Sequence, residues 1–195
     1  MQIVAVSVWA ATLLDVADMK KQTSYLTLCA IISALITAVM LVAYFPFLTY
    51  AVPAVAGALI IIPLAQAGKG YAFATYIVSS VLVMLFAEPE AKFMYICFFG
   101  FYPIVKAIFE KTRFRFFEYL LKFITFNGAV TLVYMVLAKL FMIEVEGIGD
   151  FGKYSVLILY VIGNFAFILY DICLQRLCTV YMVRLYSKIK KILKF

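Results

Sequence analysis

Apolar residues fill this chain in six long runs, separated by short polar junctions. The runs cover about residues 24–45, 49–67, 71–87, 91–109, 117–143 and 154–174. None shows the period-two alternation of a barrel strand, so each predicts a helix. Each approaches the roughly 20 apolar residues that a membrane crossing requires. Pro53 and Pro63 sit near the two ends of the second run. Gly100 and Pro103 lie inside the fourth, within Phe98-Phe99-Gly100-Phe101-Tyr102-Pro103, and predict a kink and a freed carbonyl, a bend that either shapes a cavity or serves packing alone.

The polar junctions alternate in sign. Lys20/Lys21, Lys69, Lys111/Arg113/Arg115 and the basic stretch 184–194 take every second one. Glu88/Glu90 and Glu144/Glu146/Asp150 take the others. Basic loops stay in the cytoplasm, so the pattern predicts an all-α integral membrane protein of six transmembrane helices with both ends inside. Loops 45–49, 86–92 and 143–153 then face out, and 66–70 and 110–116 face in. Lys92 and Lys153 are the exceptions, each beside acidic neighbours.

Composition agrees. Hydrophobic residues make up 67% of the chain and charged ones 14%, against about half and a quarter in a soluble domain. The net charge of +7 sits at run ends and in the tail, where it meets anionic lipid headgroups and not nucleic acid. Cys29, Cys97, Cys173 and Cys178 form no CxxC pair and read as small packing residues. There is no histidine, which removes the commonest general base and metal ligand. No GxSxG or GxxxxGK[ST] motif is present. These absences set aside a membrane enzyme, a resident cofactor and a metal site, and place any ATPase on another chain.

The chain divides into three parts. Residues 1–23 form an N-terminal segment whose apolar stretch is too short to span. It is expected to lie at the interface, or to be an over-extension before a start at Met19-Lys20-Lys21. Residues 24–175 form the membrane domain. Residues 176–195 place Leu177, Val180, Tyr181, Leu185, Ile189, Ile192 and Leu193 near helical spacing with basic residues between, the pattern of an amphipathic helix on the inner leaflet.

Two sets of residues carry candidate function. Ala30, Ala34 and Ala38 recur every four positions, and Cys29, Ser33 and Thr37 extend the row. Such a stripe admits a close helix neighbour, either a partner protein or this chain's own helices. The second set is polar and expected toward the outer side: Glu88, Glu90, Lys92, Tyr95, Tyr134, Lys139, Tyr160 and Asn164. Together they would build a pocket for a small polar or aromatic substrate, because ionisable groups at membrane depth face a cavity, a partner or the interface. Asn127 and Asn164 are also explained by bonding between helices, and Asp171 is the remaining polar group within the runs. Asp171 is expected to pair with Arg176 or with lysines at the inner surface.

The Ala-x-x-x-Ala stripe leading to Tyr-Phe-Pro-Phe at 44–47 resembles the substrate-binding S components of energy-coupling factor (ECF) transporters. The segments Tyr50-Ala-Val-Pro-Ala-Val-Ala-Gly-Ala, Gly68-Lys69-Gly70, Ala87-Glu-Pro-Glu-Ala-Lys and Phe99-Gly-Phe-Tyr-Pro-Ile-Val-Lys106 are similar to uncharacterised S-component-like proteins of Clostridia. The resemblance covers about residues 20–175 and implies a bacterial cell-membrane protein. It implies capture of a vitamin or related micronutrient on the outer side. It also implies docking through Ala30, Ala34 and Ala38 on a transmembrane coupling subunit driven by cytoplasmic ATPases. The chain lacks a signature for a known vitamin. The rival class is a membrane scaffold of the MreD-like cell-shape type, which would keep the stripe and scatter the polar set.

Overall fold

The computed structural model describes the backbone of residues 2–45, 48–110, 115–140 and 155–192. The described residues form helices joined by short turns, with no strand among them. Helix α1 is Gln2–Leu41, followed by a short 3-10 turn at Val42–Tyr44. Two short helices follow, α2 (Ala51–Ala58) and α3 (Ile61–Gln66), and then α4 (Lys69–Phe86). Helices α5 (Pro89–Met94) and α6 (Tyr102–Phe109) flank a π-helical turn at Tyr95–Phe99. Helix α7 is Arg115–Leu140. Helix α8 (Ser155–Val180) passes through a second π-helical turn, Tyr181–Leu185, into α9 (Tyr186–Ile192).

Five stretches are long and apolar enough to cross a membrane: Met19–Tyr44, Lys69–Phe86, Pro89–Phe109, Phe116–Val133 and Tyr160–Ile189. The second predicted span differs. Ala51–Gln66 is apolar but only sixteen residues long, about 24 Å as a helix against a hydrocarbon core of about 30 Å. It is also broken at Leu59–Ile60. Pro63 has no N–H for the Leu59 carbonyl four residues back, so that oxygen accepts from Ile62 at 3.1 Å instead.

The boundaries expected at 23 and 176 fall inside helices. Helix α1 runs through residue 23 without interruption, and α8 runs through residue 176. The basic tail therefore continues the last long helix. A helix of 30 residues, Tyr160–Ile189, measures about 45 Å, so its end extends past a bilayer core without a separate element.

Helices α1 and α4 run parallel and in register. The Cys29 thiol donates to the Tyr71 carbonyl at 3.5 Å, Ser33 Oγ to the Thr75 carbonyl at 3.3 Å, and the Tyr44 hydroxyl to the Phe86 carbonyl at 3.0 Å. All three pairs are separated by 42 positions. The intervening α2–α3 unit therefore returns the chain. The first core packs around this trio through Leu28, Ile32, Ile36, Met40, Ala56, Ile60, Ala72 and Val83.

Pro103 acts on α5–α6 as Pro63 acts on α2–α3. It leaves the Phe99 carbonyl without its helical donor, and the helix widens so that the Gly100 N–H bonds the Tyr95 carbonyl at 2.7 Å. The predicted freed carbonyl is there, and a neighbouring helix packs on it. Gly57 of α2 lies against the Phe99 carbonyl so closely that a Cβ at residue 57 would overlap it. A second core joins this turn to α7 and α8 through Phe98, Tyr102, Phe126, Phe167 and Leu174. Phe126 and Phe167 stack at 4.7 Å between centroids.

Candidate functional site

The small-residue row on α1 divides in two. Cys29 and Ser33 are buried against α4 and bond its carbonyls. Ala30, Ala34 and Ala38 lie on the adjoining face and are all exposed. This chain's own packing therefore uses the Cys29/Ser33 row and leaves the alanine row uncovered among the described residues.

The outer polar set falls into separate groups. Glu88 caps α5, accepting from the Ala91 N–H at 3.0 Å, with Pro89 as the first helical residue. Glu90 accepts from the Tyr50 hydroxyl at 3.3 Å. Burial and the neighbouring Glu90 carboxylate hold the Tyr50 phenol above its usual range. Lys92 is half-buried on the same helix. Tyr95 is fully buried, its hydroxyl 2.7 Å from Ser79 Oγ. Ser79 directs its proton to the Tyr76 carbonyl at 3.1 Å, which makes Tyr95 the donor.

Tyr160 and Asn164 belong to the α7–α8 contact. The Tyr160 hydroxyl meets Thr131 Oγ1 at 2.7 Å. Asn164 and Asn127 exchange two amide hydrogen bonds of 3.1 Å. No hydrogen bond among the described residues joins Glu88, Glu90 or Tyr95 to Tyr160 or Asn164. The side chains of Tyr134 and Lys139 lie outside the described set. Bonding between helices thus accounts for both asparagines.

The densest polar site lies elsewhere and centres on Asp171. Its Oδ1 accepts from Lys106 Nζ at 2.5 Å and from the Tyr102 hydroxyl at 2.6 Å. Its Oδ2 accepts from Lys122 Nζ at 3.3 Å. Lys106 also reaches the Asp171 carbonyl at 3.0 Å and Glu110 at 3.4 Å. Lys122 also reaches Glu118 at 2.7 Å. Of the two pairings expected for Asp171, the structure forms the one with lysines, and Arg176 is exposed.

Local sequence builds this site. Tyr102 and Lys106 lie four residues apart on α6 with Glu110 four further on as its C-cap, and Glu118 and Lys122 are spaced likewise on α7, so each set shares a helix face. That spacing was the available signal. It was easy to miss because lysines near span ends usually reach outward to headgroups. Here Lys106 is 4% exposed and Lys122 is 3% exposed, which rules that posture out. Three carboxylates face two ammoniums, and every ammonium has at least two acceptors. Such a network is filled by its own members and holds three helices together. The Tyr170 hydroxyl, beside it in sequence, is buried without a hydrogen-bond partner among the described residues.

No family model, curated protein or solved structure matches this chain.

Proposed function

We propose that the chain is a bacterial integral membrane protein of six crossings with both ends inside, serving as the substrate-capture subunit of an ECF-type micronutrient transporter. The observation that carries this reading is the exposed alanine row, Ala30, Ala34 and Ala38. Small residues on an uncovered apolar face admit a second helix at close range, and the S-component resemblance assigns that face to a coupling subunit. The parallel register of α1 and α4 supports the returning α2–α3 unit as the sixth crossing. The acidic turn with Glu88 and Glu90 and the hydroxyl of Tyr50 lie on the outer side in this topology, where a solute would be met.

A second reading has its own observation. Glu88, Glu90, Tyr95, Tyr160 and Asn164 are each held by a local partner, as in a scaffold without a ligand. Two experiments separate the readings. Purified protein is screened for thermal stabilisation by B vitamins, nucleobases and amino-acid derivatives. A bound substrate at 100 times its Kd adds about 2.7 kcal/mol, and no shift across the panel favours the scaffold. Ala34→Leu should abolish co-purification of a coupling subunit while the fold is retained. Retained co-purification refutes the docking assignment.

A further inference from the structure

Among its described side chains, helix α8 touches the rest of the molecule along one seam. Tyr160, Asn164, Phe167, Asp171, Leu174, Cys178 and Tyr181 face inward at alternating steps of four and three, and Tyr170 beside them packs its ring on Phe98, Phe99 and Tyr102. The intervening positions are largely exposed, including Val161, Phe165, Ile168 and Ile172. The apolar members Phe167, Leu174 and Tyr181 recur every seven residues. A helix with this repeat, shifted outward by seven residues, sets Leu174 in the place of Phe167 and Tyr181 in the place of Leu174. Packing resists the shift at Tyr170, which would enter the place of Gly163 beside Phe126 and give up its own to Leu177. The seven-residue row itself separates the two positions poorly, and lipid supplies no hydrophobic drive to choose between them.

The polar members do separate them. The shift brings Phe167 to Thr131 and Asp171 to Asn127. It carries Cys178 into the place of Asp171, so Lys106, Lys122 and Tyr102 lose the carboxylate on which they converge. We propose that the Asp171 cluster is a register pin: its buried charges fix the height of α8 against α6 and α7. Specifying register is the best-attested use of buried polar groups in helical seams. The pin sets the depth of α9 as well, because α8 continues into it. The height at which Arg184, Lys188 and Lys191 meet the inner headgroups follows from it. At the inner end Gln66 Nε2 bonds the Tyr181 hydroxyl and the Tyr186 carbonyl, both at 3.0 Å, a neutral tie that the pin outweighs.

The test measures height directly and does not depend on transport. Spin labels are placed through Met19→Cys and Val161→Cys, two exposed sites at opposite ends of the bundle, with the four native cysteines replaced. The parent should give one distance. The neutral triple variant Lys106→Gln/Lys122→Gln/Asp171→Asn removes both fully buried charges and the carboxylate between them, leaving the more exposed Glu110 and Glu118, and it should fold and gain a second distance about 10 Å longer. The transposed variant Lys106→Asp/Asp171→Lys keeps an ion pair and should hold the parent distance. Asn127→Leu/Asn164→Leu removes only a neutral tie and should also hold it. A folded triple variant with the parent distance alone overturns the proposal. So does a triple variant that loses its helical, monodisperse fold, since the cluster would then act through stability and not register.

Discussion

Two glycines show how differently one added methyl group can fail. At Gly68 a Cβ would meet nothing within 4 Å, but the backbone sits at φ 91° and ψ −177°, a region that essentially only glycine occupies. Gly68→Ala should therefore cost about 1–3 kcal/mol through the turn alone. At Gly57 the backbone is ordinary helix and the obstacle is the Phe99 carbonyl. Gly57→Ala should cost a similar amount through overpacking, and it should displace the π-helical turn. Cys97, half-buried on that turn, reports the difference. Its reaction with a maleimide should quicken in Gly57→Ala and stay at the parent rate in Gly68→Ala. A glycine in a run of small apolar residues is legible in the sequence. Which carbonyl it must admit is not, because Phe99 lies on another helix.

At the scale of elements, the runs of apolar residues give the helices, since lipid leaves the backbone no other way to satisfy its N–H and C=O groups. The Gly100–Pro103 distortion was readable for the same local reason. The break at Leu59–Ile60 was readable only in part: Pro63 looked like a helix end, yet it interrupts a helix that resumes. The polar site around Asp171 was the least legible. Asp171 stood out, but its partners sit 65 and 49 positions away, and only packing chooses among distant lysines. The energetic ranking follows from burial. Asp171→Asn takes from two buried ammoniums the carboxylate they share, leaving Lys122 on Glu118 and Lys106 on Glu110, and should cost about 1.5–3 kcal/mol, the range for hydrogen bonds to charged groups. Asn164→Leu removes a neutral tie and should cost about 0.6–1.7 kcal/mol, the range for hydrogen bonds between membrane helices. Thermal unfolding of the two variants in one detergent checks the order. Equal midpoints would place the Asp171 network among weakly contributing pairs.

Across the whole molecule, the sign alternation of the junctions and the parallel helices α1 and α4 point the same way. Charge orients each junction, and the constant 42-residue offset requires a return between the two helices. The unit that makes the return is too short to hold a bilayer position by itself, and its buried face, with Pro53, Ala56, Gly57 and Ile60, packs on elements from both sides of it in sequence. Synthesis is vectorial, so this has an order built into it. When the ribosome has made α1 and the α2–α3 unit, the helices that shelter that unit have yet to emerge. The return can be secured only once α4 arrives, and the three segments should enter the bilayer as one piece.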